Sequence, residues 1–246
     1  MNRFARCLAC VVFCASAALA DDAKLNELIN DAKAASADGK AAQTVALLDQ
    51  AIAIDAERAD LYRWRGRELF SLGQIDASLR DFDRVATLAP DLEKTLWERG
   101  ISYYYTGKFE RGAKQFALYQ TYHDADVENA AWRFICVARS DGLKHAQDSL
   151  LAIRNDSRIP MMAIYDMYRG EKSPDDVLAA ANAGSPGEAE LNTRLFYAHL
   201  YIGLYLEAQG KADDALKHLE EAKRRPIQHY MYDVARVHLE RAAPQE

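Results

Sequence analysis

Apolar and small residues recur along this chain at one fixed distance. Gly66 and Gly100 stand 34 residues apart, as do Gly73 and Gly107, and Phe82 and Phe116. Each copy reads as two helices. The first glycine (Gly66, Gly100, and Gly203 near the C-terminus) falls inside a helix, where it costs about 1 kcal/mol relative to Ala, a cost accepted where no Cβ fits between close backbones. The second (Gly73, Gly107, Gly210) ends that helix, because a left-handed cap suits a residue without a side chain. Leu69, Tyr103 and Leu206 are expected to pack inward from the first helix, and Phe82, Phe116 and Leu219 from the second, giving one α-α hairpin per copy. Leu25 to Arg58 carries the same register: Gly39, Leu48 and Ala51 each lie 34 residues before Gly73, Phe82 and Val85.

The period weakens between about 127 and 187. "VENAAWRFICVARSDGLKHAQDSLLAI" predicts a fourth hairpin turning at Ser140 to Gly142, and the following segment has room for a shortened pair, with Ser173 capping and Pro174 opening its second helix. "GSPG", Gly184 to Gly187, is a break. A long helix is then expected from about Glu188 to Gln209, a second from about Ala212 to Arg224, and, after Pro226, a last one near His229 to Ala242 that stops the stack by covering its apolar end. The sequence therefore divides into residues 1–20, repeats one to three over 21–126, degenerate helical repeats over 127–187, and a C-terminal repeat with a capping helix over 188–246. The fold class is all-α, a superhelical solenoid of about five hairpins.

The N-terminus changes the picture. Arg3 and Arg6 precede an apolar run from Cys7 to Leu19 that ends in Ala18-Leu19-Ala20, the pattern of a secretory signal peptide, and cleavage is expected after Ala20. No lipobox precedes Cys10 or Cys14, so an outer-membrane lipid anchor is the weaker reading, and no transmembrane helix is expected after cleavage. Loss of Arg3 and Arg6 takes the formal net charge from −6 to −8, which argues against nucleic acid or an anionic membrane as the main partner. Three of the four cysteines lie in the leader. Cys136 alone stays, so stability must come from apolar burial rather than disulfides.

The 34-residue unit, with small residues at helix contacts and Pro90 closing "LYRWRGRELFSLGQIDASLRDFDRVATLAP", resembles the tetratricopeptide repeat over roughly residues 25–126 and 195–225. More narrowly, "WERGISYYYTGKFERGAKQF" and "FYAHLYIGLYLEAQGKADDALKHLEEA" look like NlpI-like bacterial envelope proteins. That resemblance implies a non-enzymatic adaptor that docks cell-wall hydrolases or proteases, with other envelope proteins or peptides as partners and homodimerisation left open. It also implies a groove lined by set positions of each first helix. With units starting at Ala59 and Glu93, these positions hold Asp60, Arg63, Arg67, Phe70 and Ser71, then Lys94, Trp97, Ile101, Tyr104 and Tyr105, while Tyr103 faces the core. Arg63, Arg67, Phe70, Lys94, Trp97, Ile101, Tyr104 and Tyr105 are the expected partner-binding residues; the competing reading has some of them fill space against the C-terminal helix. The clamp that chaperone-type repeats use on a C-terminal carboxylate falls here on Ile29, Lys33, Trp64, Lys94 and Glu98, of which only Lys94 fits.

No chemistry beyond binding is legible, and no cofactor or metal is expected. The six histidines form no H-E-x-x-H pair, and the acidic pairs at 175–176, 213–214 and 220–221 suit helix first turns or solvated faces. Cys136, in the apolar "RFICVA", reads as a small buried hydrophobe rather than a nucleophile served by His145. Two other classes stay open: a self-assembling structural solenoid, and an enzyme with a site in the irregular middle.

Overall fold

The computed structural model describes the backbone of residues 4–242 and the side chains of residues 21–242; the expected leader thus lies outside the residues whose side chains are described. Every regular element among the described residues is helical: α1 (Phe4–Ala37), α2 (Ala41–Ile54), α3 (Ala59–Ser71), α4 (Ile75–Leu88), a 3-10 helix (Pro90–Thr95), α5 (Trp97–Tyr105), α6 (Phe109–Gln120), α7 (Val127–Asp141), α8 (Leu143–Asp148), α9 (Met161–Arg169), α10 (Pro174–Asn182), α11 (Glu188–Ala208), α12 (Ala212–Lys223) and α13 (Tyr230–Ala242). Successive helices pair as antiparallel hairpins, giving six pairs among the described residues where the sequence suggests about five, with α13 as the cap. This is an all-α helix-pair solenoid of the tetratricopeptide type. It divides into two compact units, Met1–Pro90 and Asp91–Glu246.

The glycine logic is visible atom by atom. A Cβ built on Gly66 would lie 2.9 Å from the Phe82 ring, on Gly100 2.6 Å from the Phe116 ring, and on Gly203 2.7 Å from Leu219 Cγ, so each helix pair closes on the apolar residue its own second helix supplies. The cap glycines Gly39, Gly73, Gly107 and Gly210 all take left-handed φ between 71° and 77°. The turns at these four glycines repeat one double hydrogen bond: the Gly73 N–H donates to Phe70 O and the Gln74 N–H to Leu69 O, as Gly107 and Lys108 donate to Tyr104 and Tyr103.

In the first unit, Leu25, Leu28, Ala32, Leu48, Ala51, Ile52 and Leu61 form the core between α1, α2 and α3. On its polar side Arg65 Nη2 donates to Asp81 Oδ1 at 2.7 Å and Nη1 to Asp49 Oδ1 at 2.6 Å, and these hydrogen bonds push its guanidinium pKa further up. In the second unit α10 opens as expected, with a reciprocal capping box between Ser173 and Asp176 and Pro174 at its first position. One boundary differs. Glu93 and Lys94 do not begin an α-helix but sit in the 3-10 turn, because Gln115 Nε2 donates to Glu93 O at 2.8 Å and Arg99 Nη1 to Glu93 Oε1 at 2.7 Å, holding this segment across α6. The first α-helix of the third repeat is therefore only nine residues long.

Candidate functional site

In the first unit, α3 carries Arg67 exposed and Arg63 half-buried, whereas Phe70 is fully buried. Phe70 is thus a packing residue rather than part of an open surface. In the second unit Lys94 is exposed on the 3-10 turn, Trp97 and Tyr105 are half-buried, and Ile101 and Tyr104 are buried, at 0% and 7% exposure. The groove that repeat numbering predicts along α5 is thus partly filled, with a cleft of about 320 Å³ left beside Tyr104, Tyr105 and Phe109.

The C-terminal segment covers part of this groove and α7 and α11 another part. The turn into α13 places His229 stacked on Trp97 at 6.4 Å between ring centroids, and Tyr230, the first residue of α13, meets Trp97 edge-on at 5.2 Å. Farther along, the Tyr105 hydroxyl and His238 Nδ1 are 3.0 Å apart, and Arg241 Nη2 donates to Tyr105 O at 3.2 Å. Tyr104 sits deeper, edge-on to Trp132 of α7 at 5.6 Å, with its hydroxyl 3.5 Å from Glu207 Oε1 on α11. His238 Nε2 in turn lies 2.6 Å from Glu207 Oε2. Burial works against that carboxylate's charge, but the hydrogen bond from His238 holds its pKa below the usual range. Of the expected groove residues on α5, Tyr105 packs against the C-terminal helix, Tyr104 against α7 and α11, and Ile101 is buried.

A second cleft, of about 250 Å³, lies at the other end of α5, lined by Trp97, Phe116, Tyr119, Trp132, His123 and His229 on its aromatic side and by Asp126, Glu128, Asn129 and Arg158 on its polar side. Asp126 caps α7 by accepting from the Glu128 N–H at 3.1 Å, which places Glu128 in the first turn, facing inward. Arg158, from the loop before α9, spreads its guanidinium over three carboxylates: Nη1 to Glu128 Oε1 at 2.6 Å, Nη2 to Asp126 Oδ1 at 2.8 Å, and Nε and Nη2 to Asp156 at 3.0 and 2.6 Å. The Tyr201 hydroxyl donates to the other oxygen of Glu128 at 2.6 Å. Three carboxylates thus share one guanidinium. Burial and the neighbouring Asp126 push Glu128 up to about 7, despite the opposing help of Arg158 and Tyr201. Asn129 spends its amide hydrogens on Phe116 O and Gln120 Oε1 and leaves its buried Oδ1 without a protein partner.

None of these polar residues stood out in the sequence, because Glu128 and Arg158 lie 30 residues apart in the stretch where the period fails. Cys136 is fully buried beneath Gly112, where an added Cβ would lie 2.8 Å from its sulfur, and burial pushes its thiol pKa far up, away from the thiolate a nucleophile needs. His145 is exposed on α8. Among the described residues no group of three or more His, Cys, Asp and Glu side chains could hold a metal ion, and no helix is long and apolar enough to cross a membrane.

No family model matches the chain. Among solved structures, a MamA from Desulfovibrio magneticus RS-1 superposes with a TM-score of 0.51 at 12% identity, over 90% of this chain and 98% of that one. A double mutant of MamA RS-1 gives the same TM-score at 11% identity, over 82% and 93%. At that identity the likeness concerns the fold, and it agrees with the repeat geometry: this chain is a tetratricopeptide-type helix-pair protein.

Proposed function

We propose that this chain is a non-enzymatic scaffold exported to the bacterial envelope, where it docks another envelope protein, as the NlpI-like proteins its sequence resembles do. One observation carries the binding part of the reading. The helix pairs leave a cleft with a half-buried tryptophan and an incompletely neutralised acidic wall, features that a self-contained core does not need. Export rests on the basic, apolar and small-residue order of residues 1–20. Cys136, fully buried and with its thiol pKa pushed far up, is unsuited to act as a nucleophile. In the second unit the partner surface is the cleft mouth formed by Trp97, His123, Arg158 and His229 rather than the α5 stripe as a whole.

The test is affinity purification of the tagged, exported protein with mass spectrometry of what co-purifies, together with its own intact mass. A mature chain beginning at Asp21 that retains an envelope protein through high-salt washing is expected. A diacylglyceryl-modified cysteine at the mature N-terminus, or a protein confined to the cytosol with its leader intact, overturns the soluble-export reading. Recovery of the chain alone, under conditions that preserve known envelope complexes, overturns docking.

A further inference from the structure

The chemistry of the cleft states what it would hold. Its acidic wall sets Asp126 and Glu128 beside the single guanidinium of Arg158, which the buried Asp156 also engages; no lysine lines the cleft, so negative charge is in excess when the three carboxylates are ionised and His123 and His229 are neutral. Beside that wall the lining is aromatic, Trp97, Tyr119 and Trp132, with His229 stacked on Trp97 and Phe116 on Trp132, and aromatic rings attract a cation within about 6 Å of the centroid. Asn129 adds a buried oxygen, Oδ1, that accepts no hydrogen bond from the protein. Aromatic walls, surplus carboxylate and an unfilled acceptor are complementary to a nitrogen cation carried on an apolar stem. An anion would meet the wrong sign of charge, and a neutral apolar group would leave both the acceptor and the charge uncompensated.

We propose that this cleft takes the side chain of a lysine or arginine presented by the protein partner, with its stem between the aromatic rings and its charged end against Asp126, Glu128 and Asn129. The proposal rests on the scaffold reading for the source of that side chain, but not for the site itself. Arg158 keeps its existing pairs, and the incoming cation meets the negative charge that Arg158 leaves over. A cation of this kind also favours the ionised form of Glu128, which burial otherwise disfavours.

The experiment uses chain 21–246 labelled with 15N-tryptophan, whose three indole N–H signals come from Trp64, Trp97 and Trp132. Blocked tripeptides Gly-Arg-Gly and Gly-Lys-Gly are titrated in, with Gly-norleucine-Gly as the uncharged isostere and Gly-Glu-Gly as the opposite charge. Saturable shifts of Trp97 and Trp132 with the cationic peptides alone, and a still Trp64 signal, are expected. Asp126→Asn, which keeps the capping oxygen, and Glu128→Gln, which keeps the contact with Tyr201, should each weaken binding about fivefold or more while the circular-dichroism spectrum stays that of the parent. Equal shifts with norleucine, no saturable response from Trp97 or Trp132, or unchanged affinity in both variants overturns the cation site. Because the probe is a free peptide, such a failure leaves the docking of a whole partner standing, and a failed co-purification leaves this titration interpretable.

Discussion

Replacing Gly100 by Ala adds a single methyl group at the tightest point of the third helix pair. That carbon would lie 2.6, 2.8 and 2.9 Å from three atoms of the Phe116 ring, closer than real Cβ contacts allow, and Phe116 is itself only 1% exposed. Neither group has room to yield. Overpacking of this kind costs about 1–3 kcal/mol, against about 1 kcal/mol that Ala gains over Gly in a helix interior, so a net loss of up to about 2 kcal/mol is expected. For a chain of this size each kcal/mol lowers the melting temperature by roughly 2–4 °C. The clean assay is a double-mutant cycle in urea, followed by circular dichroism, with Gly100→Ala, Phe116→Leu and the pair. Phe116→Leu alone should destabilise by loss of packing, and Gly100→Ala should cost much less in its presence, because the ring that the methyl group meets is gone. Gly187→Ala is the control: nothing lies within 4 Å of its built Cβ and its φ is −65°. Strict additivity of Gly100→Ala and Phe116→Leu in the cycle would refute the claim that these glycines are placed for helix contact.

Tyr104→Ala should lower stability by about 3 kcal/mol through a cavity, whereas Arg67→Ala, at an exposed position, should stay within about 0.5 kcal/mol in the same thermal melts; equal effects would contradict the burial pattern of the two first helices. Glu128, whose folded-state pKa is raised from 4.5 to about 7, binds its proton more tightly in the folded state than in the unfolded one. Its contribution is therefore full below about pH 4.5 and lost as the pH rises through about 7, on the order of 3 kcal/mol. Glu128→Gln should flatten the stability profile across that window, and an unchanged slope between pH 5 and 7 would assign the dependence to other groups. Truncation before α13, at residue 226, should expose Trp97 and Tyr105 and red-shift the tryptophan emission, since His229, Tyr230 and His238 cover those side chains.

The sequence was most informative where one residue type answers one geometric need. Gly66, Gly100 and Gly203 marked the contacts with Phe82, Phe116 and Leu219, and Gly39, Gly73, Gly107 and Gly210 marked the left-handed caps. Ser173 and Pro174 announced α10 for the same reason. Legibility ended where burial depends on a distant element. Repeat numbering put Ile101, Tyr104 and Tyr105 on a groove, but an amphipathic helix does not state which surface it will cover: α13 covers Tyr105, and α7 and α11 cover Tyr104. The shortened α5 was equally hidden, since the 3-10 turn before it is held by Arg99 and Gln115 from other helical turns. The acidic wall was the least legible of all: Asp126, Glu128, Asp156 and Arg158 obey no period and meet only because α7 and the loop before α9 are brought together in the fold.

The scaffold reading stands or falls most directly on calorimetric titration of the purified partner into chain 21–246, followed by intact-mass measurement of both proteins. The account predicts a saturable one-to-one interaction that weakens in the Asp126→Asn and Glu128→Gln variants and leaves both masses unchanged. No saturable heat would contradict the scaffold, and a cleaved or covalently altered partner would place the chain among enzymes instead.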